Sequence, residues 1–342
     1  MRNRARARSV SKTQLEVRPR VALLMLSIGA LLLAAGAAGC APVFSKKKKR
    51  EATYAPTESV IEVVAVLRRH VPDDTYRFPP AADFTGRNVY RASLLRLENL
   101  ELMHAEALRA GHMDAVIAFS KGRALERLRA YDLAAEHFAA AERSPVLRED
   151  AERAGRVNSA IAEAVKIGLQ PHDPLSPTSA LPSDLEQVVA ELDQRTGQLT
   201  ALLEQATDAP YPAILREEIE RADVTRASYF VATRRTRPGG NVRAVGELQR
   251  VISRHAPSKY RPRHVIRLAD LYAELAREYV EAAPPESLIF DPASFRELVE
   301  AATQLYEGVA SLDGTPEKLE AARRLEAFLA FGLQVDSERF SN

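Results

Sequence analysis

The 342-residue sequence contains one cysteine, Cys40, and no tryptophan. A single cysteine excludes an intramolecular disulfide, so a hydrophobic core must stabilise the folded chain. Runs of β-branched residues are scarce, whereas the strong helix formers Ala, Leu, Glu and Arg are abundant. Apolar residues also recur at steps of three and four positions, which is typical of helices with one buried face. These features predict an all-α protein.

The short motifs of common catalytic sites are also missing. The sequence has no G-x-S-x-G elbow, phosphate-binding loop, dinucleotide fingerprint or H-E-x-x-H motif. Glu101 and His104 have the Glu-x-x-His spacing of di-metal sites in helical bundles, but such sites need a second copy and two further glutamates. We therefore expect no enzyme activity, no cofactor and no metal site.

The first 39 residues have the three zones of an export signal. Seven basic residues and one acid lie within positions 1–20, Val21–Ala38 is uncharged, and small residues precede Cys40. That order is typical of a secretory signal. The apolar zone is slightly shorter than the ~20 residues that a membrane-spanning helix needs. We therefore predict that residues 1–39 are a signal peptide and are removed.

The residues Ala37-Ala38-Gly39-Cys40 resemble the lipobox of bacterial lipoproteins, which signal peptidase II cleaves before the cysteine. The resemblance implies cleavage between Gly39 and Cys40, and acylation of Cys40. Two or three acyl chains anchor a protein stably, since each buried CH₂ contributes ~0.8 kcal/mol. Ala41 stands where Asp is the usual signal for inner-membrane retention, so the resemblance implies the periplasmic face of the outer membrane. Ala37 replaces the family's usual Leu, which leaves ordinary signal cleavage near Ala38 as an alternative.

The positive charge of the chain is concentrated in its first 50 residues. Removal of residues 1–39 leaves 41 basic and 45 acidic residues, and the run Lys46–Arg50 contains five of those basic residues. Residues 51–342 therefore carry a net charge of −9, whereas nucleic-acid-binding domains are usually basic. We predict a flexible lipidated tether over residues 40–56. Its basic run is either a solvated spacer or a contact with anionic lipid headgroups.

Turn-forming clusters divide the remaining residues into helices. Residues 170–183 contain four prolines and are predicted to link two helical regions, 57–169 and 184–342. Thr85 and Ser183 are the predicted N-caps of the helices that follow them. The predicted helices cover residues 58–70, 89–110, 113–129, 131–143, 146–168, a segment from 184, 211–235, 242–255, 262–282, 293–311 and 316–333.

Residues 115–148 carry a more specific pattern, which consists of Gly122, Tyr131, Ala134, Phe138 and Ala141, followed by Pro145. The pattern resembles the tetratricopeptide repeat, or TPR, a 34-residue helical hairpin. The resemblance implies that Gly122 and Ala134 lie where two helices cross closely. Weaker matches include Ala232 and Ala269. The predicted architecture is therefore a TPR-like solenoid of helical hairpins.

The first helices of TPR hairpins line a concave groove. The register places six residues on it, with core or ordinary surface positions as the alternative: Phe119, Arg123, Glu126, Arg127, Tyr229 and Asp270. These resemblances imply a lipid-anchored scaffold for protein–protein interactions in envelope assembly or motility, with envelope proteins as partners and no nucleic acid. An envelope hydrolase with an unrecognised site and a ligand-binding lipoprotein are the alternative functions.

Overall fold

The computed structural model describes residues 55–71, 76–170 and 184–340. The predicted signal peptide, its cleavage site at Gly39 and Cys40, and the Lys46–Arg50 run lie outside these ranges. Within them the chain forms eleven α-helices and a short 3₁₀ helix. No strand is found in these ranges, only an isolated bridge between Ala82 and Asn88. The prediction of an all-α protein is confirmed.

The helices are α1 (Pro56–His70), α2 (Val89–Ala110), α3 (Asp114–Arg127), α4 (Tyr131–Ala141), α5 (Arg148–Lys166), α6 (Leu185–Gln205), α7 (Tyr211–Thr233), α8 (Gly240–Arg254), α9 (Arg261–Ala282), α10 (Pro292–Ala310) and α11 (Glu317–Phe340). Each helix packs against the next, and α1 with α3 and α9 with α11 also make contact. The result is a solenoid of consecutive helical hairpins. None of these described helices combines the length and apolarity that crossing a bilayer requires.

The predicted helix ends agree with the observed ends to within two residues, except at the C-terminus of α11. That helix continues through Gly332, past the predicted residue 333, to Phe340, because a helix tolerates an isolated glycine and no proline follows it. The predicted cap at Thr85 is wrong. Asn88 caps α2 by accepting a hydrogen bond from the Tyr90 N–H at 2.8 Å. Asp184 caps α6, and Ser183 lies outside the described residues.

The helices on the two sides of the predicted link at residues 170–183 belong to one compact unit, Tyr54–Asn342. Arg195 of α6 reaches back to the end of α5, where its guanidinium donates hydrogen bonds to the Val165 and Leu169 carbonyls. A cation at this position compensates the negative end of a helix dipole. Burial lowers the pKa of the Arg195 guanidinium. The contact couples the helices on either side of the proline-rich stretch.

The hairpin formed by α3 and α4 is packed around Gly122 and Phe138. A Cβ atom added to Gly122 would lie 2.7 Å from the Phe138 ring, so only glycine fits at this crossing. Tyr131, Ala134 and Ala141 are also buried, which places all five residues of the repeat pattern in the core. The three atoms nearest that Cβ position belong to Phe138, and Ala134 contributes none of them.

Helix α7 is buried around nearly its whole circumference. Only Arg216 and Ala232 are exposed among its 23 residues. Ala232 is exposed. The weaker repeat match around Ala232 is therefore wrong, because it requires a buried small residue at that position. In contrast, the weaker repeat match around Ala269 has this small residue in the core.

Candidate functional site

A groove lies between α1, α3 and the beginning of α5, and we call it the apolar groove. Its cavity volume is about 610 Å³. These three helices are the first helices of three successive hairpins. Its walls are formed by Val64, Leu67, Arg68, Val71, Val116, Phe119, Ser120, Arg123, Leu147 and Asp150.

The floor of the apolar groove is set by the periodicity of its helices. The stripe of α1 residues that includes Val63 and Leu67 faces the core, and Val64 lies beside it. Val116 and Phe119 lie one turn apart on α3, and both are partly buried. Half-buried apolar side chains of this kind offer a partner surface that water solvates poorly.

Arg123 is held in one place at the inner end of the groove. Its guanidinium lies over the Phe119 ring, 5.0 Å from the centroid, and donates hydrogen bonds at 3.0 Å to Glu126 and to the Tyr211 hydroxyl. Burial acts to lower the pKa of Arg123, but Glu126 and Tyr211 outweigh it and raise the pKa above its usual value. Arg123 therefore contributes a rigid wall rather than a free charge.

Arg68 is the cation that a partner can reach. It lies in the last turn of α1 and is exposed to solvent at the rim of the groove. Within the described part of the chain, no ion pair involves its guanidinium. A carboxylate on a bound segment would form a charge-assisted hydrogen bond with it. The groove therefore combines an apolar floor with one available positive charge.

The structure brings only some of the predicted groove residues together. Phe119 and Arg123 line the apolar groove. Glu126 and Tyr229 have exposed fractions of 0% and 1%, so they belong to the core and their placement on an accessible groove is corrected. Glu126 accepts a hydrogen bond from the Asn158 amide at 2.9 Å, which joins α3 to α5.

The two remaining predicted groove residues also lie elsewhere. Arg127 stacks over the Tyr90 ring of α2, 5.4 Å from its centroid. Asp270 accepts a hydrogen bond from the Tyr306 hydroxyl at 2.6 Å and pairs with Arg324 of α11. Both side chains therefore join neighbouring helices outside the apolar groove.

A second concavity, the charged pocket, lies between α7 and α9 and has a volume of about 410 Å³. Most of its polar groups are already paired within the protein. The Glu220 carboxylate accepts hydrogen bonds from Ser258 at 2.8 Å and contacts the His264 ring at 2.7 Å, and Arg263 donates to Glu317 at 2.6 Å. The residues around it are Glu217, Glu220, Arg221, Val224, Tyr260, Arg263, His264 and Arg267.

The Ser258, Glu220 and His264 cluster does not have the order of a nucleophilic triad. Its carboxylate lies between the hydroxyl and the imidazole, whereas nucleophilic catalysis needs the imidazole next to the hydroxyl. The residues described include no group of three or more His, Cys, Asp or Glu side chains that would hold a metal ion. The cluster therefore serves to satisfy buried polar groups between α7 and α9.

A second group of buried polar residues, Tyr76, His255 and Asp223, joins the loop before α2 to α7 and α8, and we call it the buried relay. No pattern in the sequence predicted it. The Tyr76 hydroxyl lies 2.9 Å from His255 Nδ1, and His255 Nε2 lies 2.8 Å from the Asp223 carboxylate. All three residues are buried, and burial raises the pKa of Tyr76. The buried relay therefore fastens a loop to helices that lie about half the chain away.

The apolar groove is the accessible candidate site, since it joins an open apolar surface to an available cation. Comparisons of the chain with protein-family models, with curated proteins and with solved structures give no match.

Proposed function

We propose that this chain is a lipid-anchored, TPR-like scaffold at the periplasmic face of the outer membrane, where its apolar groove binds a segment of an envelope protein. The observation that carries the proposal is the groove of about 610 Å³ with an apolar floor and the exposed Arg68 at its rim. Pockets of roughly 300–1,000 Å³ are the usual size for a specific ligand. The groove is therefore large enough for a few side chains of a partner.

The chemistry of the groove defines the kind of segment that fits. Each large apolar side chain that leaves water contributes about 1.5–3 kcal/mol. Val116 and Phe119 of the floor receive such side chains, and Arg68 pairs with a carboxylate beside them. The proposed partner segment therefore carries neighbouring apolar residues and an acidic group.

The predicted lipid anchor at Cys40 would serve the same function. Acylation of Cys40 would hold the scaffold at the membrane where envelope proteins are assembled. Mass spectrometry of the mature N-terminal peptide tests this part of the proposal. We expect an acylated Cys40 in the native chain and its loss, with release to the soluble periplasm or retention of the precursor, in a Cys40→Ser variant. An unacylated mature N-terminus near Ala38 would contradict the anchor.

The partner site is tested by crosslinking in cells. A photoreactive residue in place of Leu147, a wall residue of the groove, should capture a defined envelope protein, and the Val116→Asp change should abolish capture by charging the groove floor. Leu133 of α4 is the matched control, because it is apolar, 51% exposed and absent from the groove walls. Leu133→Asp should leave capture from position 147 unchanged. Thermal unfolding of both variants checks that the fold persists.

Capture that survives Val116→Asp, or equal capture of the same protein from position 133, would contradict the groove as the binding site.

A further inference from the structure

The two walls of the apolar groove carry opposite charges. Arg68 lies in the last turn of α1 and Asp150 in the first turn of α5, and both line the groove. Both residues are exposed to solvent. Arg123, the third charged residue of the lining, is already paired with Glu126. The groove is therefore positive along the α1 wall and negative along the α5 wall.

Helix α3 separates the two walls. Helix α1 packs against α3, and the Asn158 amide of α5 donates a hydrogen bond to Glu126 of α3 from the other side. Packed helices usually have axes about 8–10 Å apart, so the axes of α1 and α5 are about 16–20 Å apart across α3. A helix with its side chains is about 10–12 Å wide. The groove therefore has room for one helix that lies over α3 and contacts both walls.

The Asp150 carboxylate is available to a partner. Arg153 lies 3.9 Å from it, which is too far for a hydrogen bond. The Arg153 guanidinium instead donates hydrogen bonds at 3.1 Å to Glu149 and to Asp208. One cation therefore serves three acids. Within the part of the chain that the structure describes, Asp150 is the one of these acids that Arg153 leaves without a hydrogen bond.

The charged neighbours of the two walls do not cancel this polarity. The last turn of α1 contains basic residues and no acid, and Glu62 earlier in the helix pairs with Arg96 of α2. On the other wall, Arg148 donates a hydrogen bond to the Glu142 carbonyl at 3.4 Å and does not line the groove. Each wall therefore keeps one available charge, and the two charges have opposite sign.

We infer that the segment bound by the apolar groove is a single amphipathic helix with one acidic and one basic edge. Its apolar stripe packs on Val116 and Phe119, its acidic edge faces Arg68, and its basic edge faces Asp150. Charges that flank an apolar stripe select the partner and its orientation, because like charges placed opposite each other repel. The inference rests on the proposed function of the groove. It adds that the two walls choose the partner by the charges of its edges.

The test uses three stapled helical peptides that share one leucine stripe. The mixed peptide has glutamates along one edge of the stripe and lysines along the other, the acidic peptide has glutamates along both edges, and the basic peptide has lysines along both. Fluorescence anisotropy measures their affinity for the full chain. The mixed peptide should bind about fivefold more tightly than the other two, which is the upper limit for an exposed ion pair. The preference should disappear at about 1 M salt, where exposed charges are screened.

Charge reversals assign the preference to the two walls. Arg68→Glu should make the basic peptide the tightest ligand, and Asp150→Arg should make the acidic peptide the tightest. The double reversal should restore the preference for the mixed peptide, because the walls again carry opposite charges.

Matched controls separate this role from helix capping, since a cation at the end of a helix and an anion at its start also compensate the helix dipole. Arg69 and Glu149 lie in the same helical turns as Arg68 and Asp150 but do not line the groove. Arg69→Glu and Glu149→Arg should therefore keep the preference for the mixed peptide. Equal affinity of the native chain for all three peptides, or equal shifts in these controls, would overturn the inference.

Val116→Asp distinguishes failure of this inference from failure of the groove itself. The change should abolish binding of the mixed peptide. If the mixed peptide still bound this variant, or if no peptide bound the native chain, the groove would be wrong and the inference with it. If Val116→Asp abolished binding but the native chain did not discriminate among the peptides, only the selection by charge would be overturned. Thermal unfolding of each variant checks that the fold persists.

Discussion

The apolar groove and the charged pocket occupy equivalent places in the solenoid, but their chemistry differs. Both lie between first helices of successive hairpins, the groove between α1, α3 and α5 and the pocket between α7 and α9. The groove has an apolar floor with one available cation. The pocket has arginines and glutamates whose partners mostly lie outside its lining, such as Lys259 for Glu217 and Glu317 for Arg263. The same helical arrangement therefore offers a surface for a partner in one region. In the other region it forms a polar lining whose groups already have partners within the protein.

The burial of α7 explains this difference. Glu218, Glu220 and Asp223 lie on this helix and are nearly inaccessible to solvent. A buried charge without a partner is costly, so each of these carboxylates is held by hydrogen bonds from neighbouring helices and loops. The polar residues near the charged pocket therefore stabilise the fold, whereas those of the apolar groove remain available. Variants in the two regions should separate these roles.

The largest effect is expected from Glu218→Ala beside the charged pocket. The Glu218 carboxylate accepts hydrogen bonds from the Arg129 guanidinium at 2.6 and 3.0 Å and from the Tyr131 hydroxyl at 2.8 Å. Removal of one partner of a buried ion pair costs about 3–5 kcal/mol. Because the Arg129 side chain is partly exposed, we expect the lower end of that range in the free energy of unfolding measured in denaturant.

Replacing Arg129 as well tests whether the loss of stability comes from the unpaired Arg129 charge. Arg129 has a φ of +67°, a backbone conformation that favours glycine. Glu218→Ala combined with Arg129→Gly removes the unpaired charge and relieves the backbone. We expect the double variant to be more stable than Glu218→Ala alone. If both variants were as stable as the native chain, the pair would contribute nothing to the fold.

The next largest effect is expected in the hairpin that carries the apolar groove. Gly122→Ala places a methyl group 2.7 Å from the buried Phe138 ring, and overpacking of this kind costs about 1–3 kcal/mol. Phe138→Leu in the same chain creates room for that methyl group. A double-mutant cycle in denaturant should therefore show a smaller loss than the sum of the single variants. Strict additivity would mean that the two residues do not share the crossing.

A smaller effect is expected from Tyr76→Phe at the buried relay. The change removes the hydroxyl that lies 2.9 Å from His255 Nδ1 and leaves that buried nitrogen without this partner. The loss of one such hydrogen bond costs about 1 kcal/mol. Tyr279→Phe is the control, because the Tyr279 hydroxyl bonds to the exposed backbone of Asp291. Equal midpoints of chemical unfolding for the two variants would argue against a stabilising role of the relay.

The smallest effect is expected from mild acidification. Burial acts to raise the pKa of Glu218 and of Asp223, but hydrogen bonds from Arg129 and His255 respectively outweigh it, so both pKa values are lowered from 4.5 and 3.8. The ionised carboxylates therefore stabilise the fold above these ordinary values. This contribution is lost as the pH falls through the lowered values.

Unfolding of the native chain and of Glu218→Gln, followed from about pH 7 to about pH 3, tests the sign. The native chain should lose more stability than the variant, and the difference should appear only below the ordinary carboxyl pKa. A difference that is constant at every pH would contradict the lowered pKa of Glu218.

Local patterns were sufficient to predict the helices and the place of Gly122 at a close crossing, although its neighbour there is Phe138 and not the expected Ala134. Glycine and proline clusters mark the ends of α2 and α9, and the spacing of Gly122 and Phe138 places both in one hairpin. The same reasoning failed where two polar candidates competed for one role, as with Thr85 and Asn88 at the start of α2. It also failed at Ala232, where a correct spacing of residues falls on an exposed face.

The sequence by itself determined the helical class, nearly all of the helix bounds and the buried face of some helices, because periodicity and helix breakers act over a few residues. Only the tertiary structure decided that Glu126 is buried, that Tyr76 meets His255 and that Arg68 and Asp150 line one groove. A charged residue has the same local pattern on a solvated face and in a paired core. Its partner can lie a hundred or more residues away, so the choice depends on how distant helices pack.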